Sequence, residues 1–84
     1  MSDSAELNRL RWRSRRGMRE LDQILARYLE HGWRGADAAE RATFERLLDC
    51  EDTQLWPWFV GRERPDEPVL DALVQKILAL PVAP

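Results

Sequence analysis

The sequence has few of the residues that build disulfides, metal sites and catalytic nucleophiles. It contains one cysteine, Cys50, and one histidine, His31, among 84 residues. A single cysteine excludes an intramolecular disulfide and a four-cysteine zinc site. A Cys–His nucleophilic pair needs contact and a third orienting group, and nothing in the spacing of these two residues indicates one. We therefore expect no catalytic residue, no metal site and a binding module rather than an enzyme.

Long hydrophobic runs are missing as well. No apolar segment approaches the 18 or so residues that a membrane-spanning helix needs. No charged-then-apolar leader with a small-residue cleavage site is recognisable. We expect a cytoplasmic protein that does not insert into a membrane. A chain of this size buries only about 60–65% of its unfolded surface, which argues against a deep, enclosed active site.

Strand patterns are also missing, whereas helical spacing recurs throughout the chain. No segment alternates apolar and polar residues with the β-branched enrichment that a strand needs. Apolar residues recur instead at steps of three and four. The sequence therefore predicts an all-α protein, a compact five-helix bundle that forms a single domain over residues 1–84 with a core at about 7–80. We expect the first few and the last four residues to be frayed.

The first two predicted helices occupy the amino-terminal part of the chain. The first covers residues 4–13 and turns Leu7 and Leu10 inward. The second begins around Arg16 and ends near His31, before a turn that contains two glycines. Its strong amphipathic pattern predicts an inward face made of Met18, Leu21, Ile24, Leu25, Tyr28 and Leu29.

The remaining three helices follow from capping residues and prolines. Asp37, with Glu40 as its capping-box partner, predicts the start of the third helix, with an inward side made of Ala38, Ala42, Leu47 and Leu48 and flanked by Phe44. Asp52 is the predicted N-cap of a fourth helix, which Pro57 keeps short or distorted. Pro68 suits the first turn of a fifth helix, whose predicted core face consists of Val69, Leu70, Leu73, Val74, Ile77 and Leu78.

Charge is distributed unevenly along the chain. The first 19 residues carry six arginines and two acids, whereas the remainder is acidic and the whole chain has a net charge of −2. Arg9, Arg11, Arg13 and Arg15 alternate along the first helix, and this period of two scatters them around it. A nucleic-acid surface needs clustered cations. The arrangement therefore favours an acidic patch on a protein partner over a nucleic acid.

Three residues stand out at the predicted start of the second helix. Arg16 and Glu20 are four residues apart and would lie on one helical face, one turn from each other. Gly17 lies between them, although glycine in a helix costs roughly 1 kcal/mol relative to alanine. Its presence indicates either a bend or the close approach of a partner's backbone. An ordinary surface ion pair between Arg16 and Glu20 is the alternative interpretation.

The segments around these residues resemble a known family. Residues 12–22 read WRSRRGMRELD and residues 45–61 read ERLLDCEDTQLWPWFVG, and an apolar helix follows. Over roughly residues 9–80 the sequence resembles the small bacterial assembly factors of succinate dehydrogenase. Mitochondrial relatives of these factors promote flavinylation of the same enzyme. The RGxxE signature of the family reads here as Arg16, Gly17, Met18, Arg19 and Glu20.

The resemblance implies a five-helix fold and a chaperone-like function. It implies binding to the flavoprotein subunit of succinate dehydrogenase and promotion of the covalent attachment of FAD to a histidine of that subunit. The flavoprotein subunit of fumarate reductase is a second candidate partner. We expect a monomer that binds no FAD tightly itself, because no strand is followed by a glycine-rich phosphate loop. The implied partner-binding residues are Arg16, Gly17 and Glu20 at the centre, surrounded by Arg9, Trp12 and Arg19.

Some alternatives remain open from the sequence. Trp12 is either an interface anchor, since tryptophan is enriched in binding hot spots, or a cap that closes the bundle over Met18. Some proteins of this family are also described as antitoxins that counter a membrane-associated toxin acting on the cytoskeleton. The RGxxE signature alone does not exclude that function. A nucleic-acid-binding helical domain is the third, least favoured hypothesis.

Overall fold

Five helices make up the regular structure of the protein. The computed structural model describes residues 3–81, and this range contains no strand. The predicted all-α, five-helix fold is therefore confirmed. The expected fraying falls largely on residues 1–2 and 82–84, which lie outside the described range. The helices are α1 (Asp3–Arg13), α2 (Arg19–His31), α3 (Ala38–Leu48), α4 (Asp52–Phe59) and α5 (Pro68–Leu78).

The carboxy-terminal helix α5 organises the packing. It contacts α2, α3 and α4, and α1 packs against α2. Every helix contributes side chains to one apolar core, so each short helix is held mainly by tertiary contacts rather than by its own propensity. The buried apolar residues are Leu7, Leu10, Leu21, Leu25, Tyr28, Leu29, Trp33, Phe44, Leu47, Leu48, Leu55, Phe59, Leu70, Leu73, Val74 and Ile77.

The start of α3 confirms one predicted cap and changes the role of its partner. The Asp37 carboxylate accepts a hydrogen bond from the backbone N–H of Glu40 at 2.8 Å. The Glu40 side chain was predicted to complete the capping box. It instead accepts hydrogen bonds from the Tyr28 hydroxyl at 2.8 Å and from the Lys76 ammonium at 2.7 Å. Glu40 therefore joins α3 to α2 and α5.

Helix α4 has the predicted short length, eight residues, and Pro57 lies in its second turn. Its N-cap is Glu51, whose backbone N–H donates to the Gln54 side chain at 3.1 Å. The prediction of Asp52 as N-cap is wrong by one position, because Asp52 is the first helical residue. The helix ends at Phe59 with Val60 as its C-cap, and Gly61 follows with a φ of 82°, a left-handed conformation that favours glycine.

Two aromatic residues of the core lie deeper than the sequence predicted. Phe44 was placed at the flank of α3, but it is fully buried and its ring centroid lies 4.6 Å from that of Tyr28. Trp33 had no predicted role, and it is fully buried in the connection between α2 and α3. The Arg41 guanidinium covers the Trp33 ring at 3.8 Å. Both aromatic rings therefore belong to the core.

Two residues predicted to lie on the core face of α5 are exposed instead. Val69 is 51% exposed and Leu78 is 37% exposed. At about 100° per residue they lie on opposite edges of the helix, each roughly 90° from the middle of the buried stripe. The stripe is therefore narrower than predicted, and it consists of Leu70, Leu73, Val74 and Ile77.

Candidate functional site

The RGxxE signature begins in a loop rather than in a helix. Residues 14–18, the signature loop, join α1 to α2, and α2 begins only at Arg19. The prediction that Arg16 and Glu20 share a helical face is therefore wrong. Gly17 has a φ of 86°, a left-handed conformation that side chains with a Cβ rarely adopt. The glycine is thus required by the turn itself, not tolerated within a helix.

The Arg16 side chain turns inward and binds the connection between α3 and α4. Its Nε donates to the Asp52 carboxylate at 2.6 Å. Its two terminal nitrogens donate to the Leu48 carbonyl, both at 3.0 Å, and one of them also donates to the Cys50 carbonyl at 2.7 Å. Only 14% of the Arg16 side chain is exposed. Its guanidinium therefore fixes the signature loop to the body of the protein, and it does not pair with Glu20.

Asp22, in the first turn of α2, holds the same loop from the other side. One of its carboxylate oxygens accepts the backbone N–H of Arg16 at 2.8 Å, and the other accepts that of Gly17 at 3.3 Å. The loop is therefore bound both through its backbone and through the Arg16 side chain. A loop held in one conformation loses less conformational entropy when it binds a partner.

Several residues of this region point to solvent. Gly17 is exposed, and a Cβ placed on it would have no atom within 4 Å. Arg19 and Glu20 are exposed, and within residues 3–81 neither side chain forms a hydrogen bond or ion pair. Trp12 is 71% exposed, so it does not cap the bundle over Met18. The signature loop therefore presents an open backbone at Gly17, and the adjoining ends of α1 and α2 present the indole of Trp12, an arginine and a glutamate.

Three arginines form an ion-paired row that joins α1 and the signature loop to α3 and α4. Arg9 lies 3.3 Å from Glu45. Arg13 lies 3.5 Å from Glu45 and also binds Asp49. Arg16 completes this row, the arginine row, through its ion pair with the first residue of α4. Arg9 thus has an internal partner, although its side chain remains about half exposed.

Asp22 and Asp52, the acids that position the signature loop, were not predicted from the sequence to belong to the site. Asp52 was predicted as an N-cap, and Asp22 was given no part in the site. The available signal was the position of Asp22 in the first turn of α2, where a carboxylate favours nearby backbone N–H groups. No comparable signal existed for Asp52, because its partner Arg16 is 36 positions away.

The single cysteine and single histidine lie apart from any reactive cluster. Burial raises the pKa of the Cys50 thiol, which keeps it protonated near neutral pH. His31 is exposed at the end of α2. In the described part of the chain, no three His, Cys, Asp or Glu side chains converge as metal ligands would. None of the helices in that part is long and apolar enough to cross a membrane.

Comparison with known proteins points to one family. Residues 8–81 match the family model described as flavinator of succinate dehydrogenase. The chain is 56% identical over 81 residues to the FAD assembly factor SdhE of Xylella fastidiosa (strain 9a5c), covering 96% of this chain and 84% of that protein. It is 47% identical to the FAD assembly factor SdhE of Methylococcus capsulatus, covering 90% and 92% of the two chains. It is 44% identical to that of Pseudomonas aeruginosa, covering 93% of each.

Proposed function

Because this chain belongs to the flavinator family of succinate dehydrogenase, we propose that it is a FAD assembly factor for that enzyme. In this proposal it binds the flavoprotein subunit in the cytoplasm, as a monomer, and promotes covalent attachment of FAD to a histidine of that subunit. The flavoprotein subunit of fumarate reductase is a second candidate partner. The match of residues 8–81 to the flavinator family is the observation that carries the proposal.

We propose a conformational mechanism in which this chain carries out no chemistry. A free flavoprotein subunit samples arrangements in which its histidine and the flavin ring are misaligned. A protein that binds the aligned arrangement more tightly shifts the population toward it. Moving such an equilibrium from 1:99 to 99:1 requires a preference of about 10⁴-fold in affinity. FAD stays on the partner, and the protonated Cys50 thiol supplies no nucleophile.

The signature loop and its surroundings are the proposed contact surface. Gly17 and Glu20 would lie at its centre, with Arg19 and Trp12 around them, because all four are exposed. An open glycine lets a partner's backbone approach closely. Trp12 offers a large apolar area of the kind that dominates many interfaces. Arg16 and Arg9 would contribute mainly by holding this surface in place through their ion pairs with α3 and α4.

Covalent flavin content in cells tests this proposal. Cells that lack the protein would receive wild type, Glu20→Ala or Gly17→Arg, and flavin on the flavoprotein subunit would be scored by in-gel fluorescence. Wild type should restore flavinylation, and both variants should restore much less. Glu20→Ala removes an exposed side chain that has no partner among residues 3–81, so the fold of the variant should remain intact.

The chain offers a matched control for each variant. Gly61 has nearly the same φ as Gly17, 82° against 86°, and equally open space around its Cβ position. Gly61→Arg therefore imposes similar backbone strain at a position outside the signature loop, and Glu63→Ala removes another exposed glutamate. Both controls should restore flavinylation. Unchanged flavin content in cells without the protein would contradict the proposal and favour the antitoxin alternative.

A further inference from the structure

The arginines of α1 and the signature loop divide into two sets with different partners. Arg9, Arg13 and Arg16 form the arginine row, and each binds an acid of α3, of α4 or of the connection between them. Arg11 and Arg15 have no acidic partner within residues 3–81. Arg11 contacts the Asn8 side chain at 3.5 Å, and the Arg15 guanidinium lies 4.9 Å from the centre of the Trp12 ring. The alternating arginines therefore differ in their partners. Arg9 and Arg13 are paired internally, whereas Arg11 and Arg15 are open to a ligand.

The two unpaired arginines line a groove between α1 and α2. The groove has a volume of about 510 Å³, and its α2 side includes Gln23, Ala26 and Glu30. We call it the α1–α2 groove. It adjoins the signature loop, because Arg15 belongs to that loop and also lines the groove.

The charge of the groove depends on which of its polar groups already have partners. Ser14 donates to the Leu10 carbonyl at 2.8 Å, and the Asp22 carboxylate accepts two backbone N–H groups of the signature loop. Arg11, Arg15 and the amide of Gln23 thus remain as donors without a strong internal acceptor in the described range, and Glu30 contributes one carboxylate on the α2 side. Donors of this kind suit carboxylates, which arginine binds in a planar, bidentate manner.

We propose that the α1–α2 groove binds an acidic segment of the flavoprotein subunit, with its carboxylates against Arg11 and Arg15. This inference rests on the proposed function and extends the contact surface beyond the RGxxE signature. Charge complementarity selects the occupant, and Trp12 beside Arg15 adds apolar contact at the edge. Asp22 and Glu30 also line the groove, so the carboxylates of the segment would lie against Arg11 and Arg15 and away from these two acids. A nucleic acid fits less well, since its phosphates follow one another continuously and would also meet both acids.

The dissociation constant of the complex with the purified flavoprotein subunit tests this inference. The double variant Arg11→Glu/Arg15→Glu should weaken binding by about tenfold or more, because it places like charges opposite the acidic segment. Arg34→Glu/Arg62→Glu makes the same change in net charge at two exposed arginines outside the groove. This control should change the dissociation constant by less than about threefold, because distant surface charges are screened.

A second pair of variants tests the groove without changing charge. Ala26→Met narrows the α1–α2 groove at an exposed helical position. Ala42→Met makes the same change on α3, where Ala42 is exposed rather than inward as the sequence predicted. Methionine is a good helix former, so both variants should fold like wild type. The expected result is weaker binding for Ala26→Met and unchanged binding for Ala42→Met.

The outcomes separate this inference from the proposed function. If wild type binds the flavoprotein subunit tightly and the groove variants bind it as well as their controls do, the groove is not a binding site. The proposed assembly function would still stand. No binding of wild type to the flavoprotein subunit would overturn both. Tight binding of duplex DNA by wild type that is lost in the Arg11→Glu/Arg15→Glu variant would show that the groove binds nucleic acid. That result would contradict the proposed binding of an acidic segment.

Discussion

Replacing Arg16 by alanine is expected to lower the free energy of unfolding by about 2–4 kcal/mol. The variant would leave the Asp52 carboxylate and the carbonyls of Leu48 and Cys50 without their donor. It would also detach the signature loop from the α3–α4 connection. Asp52 is about one-third exposed, so water can solvate its carboxylate in the variant. The full free-energy penalty of an unpaired buried charge therefore does not apply. Urea denaturation with linear extrapolation measures the change.

Arg19→Ala is the matched control for Arg16. Arg19 is exposed and forms no side-chain hydrogen bond within residues 3–81, so this change should alter stability by less than about 0.5 kcal/mol. Arg16→Lys keeps the charge but cannot reproduce the forked hydrogen bonds of the guanidinium. Its free energy of unfolding should therefore lie between those of wild type and Arg16→Ala. Unchanged stability of Arg16→Ala together with lost flavinylation would contradict the internal role. It would show that the guanidinium acts on the partner, as the sequence predicted.

Replacing Phe44 by alanine is expected to lower the free energy of unfolding by about 3–5 kcal/mol. The ring is fully buried against Tyr28, and its removal would leave a cavity where α3 faces the core. In a small domain with a total stability of about 5–15 kcal/mol, this loss is a large fraction. Thermal and urea unfolding of the purified variant measure it.

Val69→Ala is the control that distinguishes the loss of a buried apolar side chain from the loss of an exposed one. The sequence placed Val69 in the core and Phe44 at the flank, and the structure reverses the two. Because Val69 is half exposed, its truncation should cost less than about 0.5 kcal/mol. A larger loss for Val69→Ala than for Phe44→Ala would contradict the packing described here.

Helices with strong local signals were predictable from the sequence. Asp37 marks the start of α3 by a cap that depends on a residue only three positions away. The inward residues of α2, such as Leu21 and Leu25, follow directly from a spacing of three and four. The start of α2 was not predictable in this way, because residues 16–20 have an acceptable helical pattern. Gly17 adopts its left-handed conformation where Asp22 and Asp52 hold the loop.

The different roles of the residues in the candidate site could not be predicted from the sequence either. The family signature identifies Arg16, Gly17 and Glu20 together, but it does not show that Arg16 points inward and Glu20 outward. The alternating arginines of α1 look equivalent along the chain. They differ only because Glu45 and Asp49, each 36 positions after its arginine partner, reach Arg9 and Arg13 but not Arg11. Contacts between distant segments decide these roles, and local patterns do not report them.

We propose that the surface around the signature loop contacts the flavoprotein subunit. Amide hydrogen exchange of this chain, measured with and without the purified flavoprotein subunit, tests it most directly. In the complex, the backbone amides of residues 12–23, which span the end of α1, the signature loop and the start of α2, should exchange more slowly. Slower exchange confined to α3 and α5, with residues 12–23 unchanged, would contradict this contact surface.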